Sequence, residues 1–317
     1  MNLRVDFKTR RGRFILLVVV LAIVVLFGIG VLGGEELPVI SLAAEDIPLP
    51  FSLPVFGDHI PNTLPSTWLT MVILIVIAVA YNRTLRKEGP PSRLRVAIEA
   101  VAEGMLEFMQ NTVGENARIF FPLVATFFLF IVVSNWGGIL PGFGSVGVRV
   151  LQHGEMELIP FFRSANAHLS TTLALAIVSV AATQYFGFKM QGASYLNKYL
   201  NFRASSPKPD PATQKGIERV VSKIARTLEI VVNGGVGLIE IILEVLKVLP
   251  FSFRLFGTIF AGEVLLFVVS YLFAFVFPII FLGLEIFVGL IQGLIFAMLT
   301  LVFFSIATTA HHGEESH

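Results

Sequence analysis

The sequence predicts an all-α integral membrane protein of about six transmembrane helices, including a long, tilted C-terminal helical hairpin, with an amphipathic helix on the membrane surface. Three observations carry this. The 317 residues are 55% hydrophobic and only 14% charged, which departs far from a soluble domain. Residues 14–34, 59–82, 119–148, 164–188, 264–284 and 286–313 contain no Asp, Glu, Lys or Arg, and each window can hold the roughly 20 apolar residues of one crossing. Backbone groups in hydrocarbon must bond internally, so each run reads as helix. The basic residues, finally, are sorted. Of 23, five precede residue 14, five lie between Arg83 and Arg95, and eight between Lys189 and Arg226, whereas residues 34–66 hold none and residues 139–163 hold two. The positive-inside bias then places both termini in the cytoplasm.

Taken in order, the first span follows a basic start, as a secretory signal does. Its apolar run of about 20 residues exceeds the ~7 to 15 of a signal, which favours a retained anchor. The acidic, proline-rich stretch to residue 65 reads as an external, poorly helical connector. After a short span ending near Tyr81, the apolar residues Val96, Ile98, Val101, Met105, Leu106 and Met109 recur at helical spacing beside Arg95, Glu99, Glu103 and Glu107. That pattern is an amphipathic helix on the inner membrane surface. The stretch "GFGSVG", residues 142–147, matches a dinucleotide fingerprint only formally, with no strand before it and an external loop around it. The inner loop over 203–219 is broken by three prolines and carries basic residues suited to anionic lipid. Cysteine is absent, which removes disulfides and thiolate metal sites.

From Thr227 to Ala310 the chain is almost wholly apolar, and a break near Phe277-Pro278 divides it into two long helices. It nevertheless keeps Glu229, Glu240, Glu244, Lys247, Arg254, Glu263 and Glu285. A charge at the centre of a membrane helix costs about 2.5 to 3.5 kcal/mol on insertion scales, so such residues mark ion or substrate paths. Glu240, Lys247 and Arg254 are spaced by sevens and line one stripe, with Glu244 beside it. Glu263 lies on the order of 14 Å further out than Arg254 and half a turn out of phase. On the returning helix Glu285 shares the depth of Glu263, and Gln292 that of Arg254. Gly289 and Gly293 flank Gln292 and would admit a close backbone. His168 opens an inward-going span and is outer as well. Three titratable groups thus converge on the outer half, with Glu240 and Glu244 toward the inner half and Arg254 between. Two half-passages separated by a permanent cation follow, with protons carried past the arginine by a carboxylate on a moving neighbour. Blander roles stand beside these: Glu240 and Glu244 either line an inner exit or balance Lys247, Glu263 and Glu285 can be buried protonated acids, and a histidine at a span end suits the interface. Pro250 should bend the helix one turn before Arg254.

The segment "RLFGTIFAGE", Arg254 to Glu263, resembles the R-L-F-G-N-x-x-A-G-E of subunit a of the F-type ATP synthase, the stator of its proton motor. Gln292 in "GLIQGLIFAMLTLVFFSIA", Glu240 in "LIEIILEVLK" and "TTLALAI" after His168 support the likeness. The resemblance implies that residues 66–317 form the subunit a domain, with a channel hairpin over 217–310, behind an N-terminal anchor and connector at 1–65. It implies a non-catalytic subunit in which Arg254 is the essential residue, Gln292 its hydrogen-bonding neighbour and Glu263 part of the outer channel. The implied partners are a c-subunit ring, peripheral-stalk b subunits, other ATP synthase subunits and membrane lipid, with no nucleic acid and no cofactor or metal, in a bacterial inner membrane. Thr258 departs from the family's asparagine, and His168 and Glu285 look exchanged between two helices. A self-contained secondary proton-coupled transporter is the alternative, but paired halves and interrupted helices are missing. An intramembrane hydrolase would need a nucleophile-base pair or metal triad at depth, and none is apparent.

Overall fold

The computed structural model describes residues 46–53, 57–86, 92–139, 147–152, 155–160, 163–199, 217–273 and 276–309. The predicted first span, the inner loop up to residue 216 and the "HHGEESH" tail lie outside them. Seven α-helices dominate the described residues: α1 (Thr63–Leu85), α2 (Arg93–Val113), α3 (Ala117–Ile139), α4 (Leu169–Gln191), α5 (Ile217–Leu246), α6 (Val248–Leu272) and α7 (Val276–Thr308). Four helical stretches, Thr63–Leu85, Arg95–Ile139, Leu169–Gln191 and Phe277–Thr308, are long and apolar enough to cross a membrane. The all-α membrane class therefore holds, with two additions. The connectors on the predicted external side fold as antiparallel hairpins, β1 (Asp46–Leu53) with β2 (Gly57–Pro61) and β3 (Gly147–Gln152) with β4 (Glu155–Pro160). Gly147 of the fingerprint look-alike opens β3, so the strand follows that glycine.

The C-terminal region corrects the sequence expectation. Instead of two helices it contains three, because α5 ends at Leu246 and α6 starts afresh at Val248. Pro250 therefore lies in the first turn of α6, where its missing N–H has no intrahelical partner to lose. Pro278 is placed likewise, in the first turn of α7, so the second break precedes Phe277 and falls between Leu272 and Val276. Helix α2 obeys its local signals. Ser92 accepts from the Arg95 amide (3.3 Å) as N-cap, and Gly114, at φ +67°, ends the helix with its N–H on the Gln110 carbonyl. Of its predicted apolar face, Met105 and Met109 are buried, whereas Val96 and Val101 stay exposed on the side suited to a lipid surface.

The chain divides into two compact units. One comprises the described residues of Met1–Met71, Val132–His168 and Gly257–Gln292, and the other those of Val72–Ile131, Leu169–Phe256 and Gly293–His317. The second unit has an aromatic core in which Phe120, Phe186 and Phe304 meet with ring centroids 4.9–5.4 Å apart, joined by Met105, Met109, Val124, Ala297 and Leu301. Around it, hydroxyl pairs tie α4 to its neighbours: Thr172 to Ser252 of α6 (3.1 Å) and Ser179 to Thr300 of α7 (2.9 Å), all four fully buried. Gln191 finishes α7 by donating from Nε2 to the carbonyls of Ala307 and Thr309. Removing the Phe304 ring empties the centre of the cluster. Phe304→Ala is expected to lower stability by about 3 kcal/mol, read as thermal unfolding in detergent, while Ile306→Ala, at an exposed position, leaves the melting temperature in place.

Candidate functional site

Glu263, on α6 in the first unit, does not stand alone. Its Oε2 accepts from Nε of Arg163 at 2.8 Å and its Oε1 from the Ser164 amide at 3.3 Å. Arg163 is itself held, its backbone N–H on the Ser66 hydroxyl (3.1 Å) and its guanidinium 5.7 Å from the centre of the Phe260 ring. The charge of Glu263 is thus met by a cation 100 residues away in sequence. Sequence reading counted Arg163 only as one of two basic residues in an outer loop.

The segment after Arg163 has no regular helix until Leu169, yet Ser164, Ala165, Asn166 and Ala167 are all at most 2% exposed. A buried irregular segment must find partners for its polar groups. Asn166 donates to Asn135 Oδ1 (2.8 Å), and Asn135 in turn donates to the Gly289 carbonyl of α7 (3.2 Å). Trp136 adds a bond from its indole N–H to the Ile286 carbonyl (3.0 Å). Gly138 is needed beneath this segment, since a Cβ there would run into Ser164. At Gly289, where a close backbone was expected, the neighbour is instead a side chain: an added Cβ would lie 3.1 Å from that of Asn135.

Glu285, on α7, is buried. Its carboxylate lies directly against Gly262, occupying the space where a Cβ would be. This explains the glycine in "AGE": residue 262 makes room for one acid and residue 263 supplies the other. His168 follows the buried turn, its N–H on the Ala165 carbonyl, and is half-buried. The first unit therefore contains Glu263, Glu285 and His168, and Gln292 on α7, seven residues beyond Glu285, is half-buried. Asn135, Asn166, Ser164 and Arg163 were missed. The usable signal was polar residues inside or beside charge-free windows.

In the second unit α5 is inverted relative to a water-soluble helix. Gly237 and Glu244 are buried and Ser222, Arg226, Glu229, Asn233 and Glu240 half-buried, a polar stripe at helical spacing turned inward. Val220, Ile224, Leu228, Val231, Val232, Leu238, Ile239 and Ile242 are exposed on the other side. Glu244 pairs with Lys247 (Oε1 to Nζ, 3.0 Å). On α6, Phe251, Ser252 and Leu255 are buried, with Phe251 stacked on Phe296 at 4.1 Å, while Phe253, Arg254 and Gly257 are exposed. The helix is packed by one face and presents Arg254 on the other.

A model of the family described as the ATP synthase A chain matches residues 64–305. The chain belongs to that family. It is similar to the ATP synthase subunit a of Syntrophobacter fumaroxidans, with 28% identity over 81% of this chain and 89% of the relative. It is likewise similar to those of Geobacter sp. strain M21 (30%; 78% and 88%) and Citrifermentans bemidjiense (29%; 78% and 88%). Within this ATP synthase A chain member, Gly262→Ala is expected to push the Glu285 carboxylate off α6 toward water. Labelling of Glu285 by a water-soluble carbodiimide, mapped by mass spectrometry, should rise, and Gly283→Ala, where a Cβ meets nothing within 4 Å, should leave it unchanged. Equal labelling in both variants would place the carboxylate elsewhere.

Proposed function

We propose that the chain is the proton-translocating stator subunit of the F-type ATP synthase membrane sector. It forms two half-channels against a ring of c subunits and couples proton flow to rotation for ATP synthesis. The observation that carries this reading is Arg254 on the exposed face of a mainly apolar helix whose opposite face is locked by Phe251, Ser252 and Leu255. A guanidinium keeps its proton in proteins. Set on a membrane helix, it attracts the ionised carboxylate of a passing rotor subunit and blocks direct passage of a proton.

Family membership and the distribution of the remaining polar groups support the two paths. Glu263, Glu285 and His168 serve the outer half-channel, with Asn135 and Asn166 as hydrogen-bonding lining. Glu240 and Glu244, on the inward polar stripe of α5, serve the inner one, and Gln292 assists Arg254. The residues occur along α5 and α6 in the order such a path requires, inner acids before the arginine and Glu263 after it. The apolar outer faces of α1 and α5 suit lipid and partner subunits, among them the c-ring and the peripheral-stalk b subunits, and the cell membrane of a bacterium is the expected setting. A potential of about 100 mV supplies ~2.3 kcal/mol per charge moved, so several protons must pass per ATP.

Arg254→Ala is expected to abolish ATP-driven acidification of vesicles while passive proton leak through the assembled complex persists. Full coupled pumping by that variant would remove the barrier role. Glu285→Gln is expected to slow proton uptake from the outer side more than Glu244→Gln does, on the order of tenfold against twofold or less. Equal slowing, measured with the pH clamped on each side in turn, would refute the assignment of the two acids to different paths.

A further inference from the structure

After α4 the chain does not simply extend away from the helix. Gly192, at φ +61°, ends the helix, and a 3-10 turn over Gly192–Lys198 folds the following residues back on α4. Tyr195 is 2% exposed and its ring fills the space over Gly187. Tyr195 and Tyr199 both donate from their phenols to Gln184 Oε1, at 2.9 and 2.8 Å, with their rings edge to face at 5.7 Å. The clasp does not end on α4. The Tyr199 carbonyl lies directly against Gly237 of α5, in the space a Cβ would need. Gly237, Glu240 and Glu244 are three and seven residues apart, on one face of that helix. Tyr199 is therefore applied to the face that carries both inner acids. Burial pushes its phenol above the ordinary pKa, and the charges of Glu244 and Glu240 add to the rise.

We propose that Tyr199 is a positioning residue for the inner half-channel: its carbonyl, seated on Gly237, and its phenol, held by Gln184, fix the polar face of α5 so that Glu240 and Glu244 line the path. This rests on the proton-conducting reading above. Tyr195 neighbours it on its own segment, and Lys247 at the end of α5 pairs with Glu244. A passive staple between α4 and α5 would use the two phenols alike, since both bond the same amide oxygen. A positioning role would not, because it is the carbonyl of residue 199 that meets α5 at Gly237.

The test compares Tyr199→Phe, Tyr195→Phe and Gly237→Ala in the whole complex. Proton conduction is driven by a potassium diffusion potential in vesicles stripped of the catalytic head and normalised to the assembled complex. A misplacement of about 1 Å costs up to ~100-fold in rate. On that scale Gly237→Ala is expected to slow conduction about tenfold and Tyr199→Phe about fivefold. Tyr199→Phe should also displace the inner-side pH of half-maximal conduction, which Tyr195→Phe leaves in place. Equal effects of the two phenylalanine variants, or no effect of Tyr199→Phe, would overturn the proposal. Should Gly237→Ala fail to assemble, the phenylalanine pair still decides. With ATP-driven acidification by Arg254→Ala measured alongside in vesicles that keep the catalytic head, retained coupling in that variant would sink the proton-conducting reading itself, whereas lost coupling with an inert Tyr199 would sink the positioning role alone.

Discussion

Hydrocarbon cannot hydrogen-bond, and that one constraint orders the whole molecule. A polar group in a membrane helix is tolerated only where protein or water meets it. Helix α1, 23 residues long, buries only Thr63 and Thr70 and leaves Val72, Ile75 and Val76 more than half exposed. Its threonines bond back to carbonyls one turn earlier, Thr67 to Thr63 and Thr70 to Ser66. Helix α5 follows the same rule on a larger scale. Read for a water-soluble protein, its amphipathic pattern would put the valines and isoleucines inside. Here they face outward and the acids inward, the arrangement in which lipid or an apolar partner replaces water as the outer solvent.

Within that frame a fixed cation needs a rigid mount. A bare arginine on a loose helix would snorkel toward the nearest interface, and its position would then report nothing to a partner. The mount for Arg254 is the opposite face of α6. The Phe251–Phe296 stack and the Thr172–Ser252 hydroxyl pair lie within three residues of it. The restart of the helix at Val248 contributes too, since the break between α5 and α6 lets the stripe of α5 and the arginine of α6 be set by different neighbours.

Much of this was legible in the sequence, for physical reasons. Charge-free windows and the sorting of basic residues report on the bilayer itself, so the spans of α1, α3, α4 and α7 stood out, as did the motif at Arg254; the single stripe expected from Glu240 through Lys247 to Arg254 is broken after Leu246, with Arg254 exposed on a separate helix. The restart at Val248 was less legible. Pro250 advertised a disturbance, but a proline in a continuous apolar run is compatible with a kink or with a new first turn, and only packing chooses between them. The Arg163–Glu263 pair left no local trace at all. Periodicity tells which face a residue occupies and nothing about a counter-charge 100 positions away. The two hairpins were overlooked for another reason: β1 alternates apolar residues at 47, 49, 51 and 53, but the prolines at 48 and 50 argue against a strand.

The glycines show what periodicity could not. Among the described residues only Gly114 and Gly192 need the left-handed backbone. Gly187, Gly237, Gly262 and Gly289 are ordinary helical residues whose missing Cβ is filled by something specific: the Tyr195 ring, the Tyr199 carbonyl, the Glu285 carboxylate and the Asn135 side chain. A glycine inside a helix costs about 0.5 to 1 kcal/mol relative to alanine. Small residues in membrane helices are usually read as sites where two apolar backbones approach. In three of these four cases the visitor is a polar group instead. The apparent weakness in each helix is then the means of bringing an oxygen or an amide against a neighbouring backbone while keeping lipid away from it. Two of the visitors, Glu285 and the Tyr199 carbonyl, arrive beside Glu263 and on the face of Glu240 and Glu244. Space left by glycine thus helps to settle where Glu285 comes to rest, as the ion pairs with Arg163 and Lys247 do for Glu263 and Glu244.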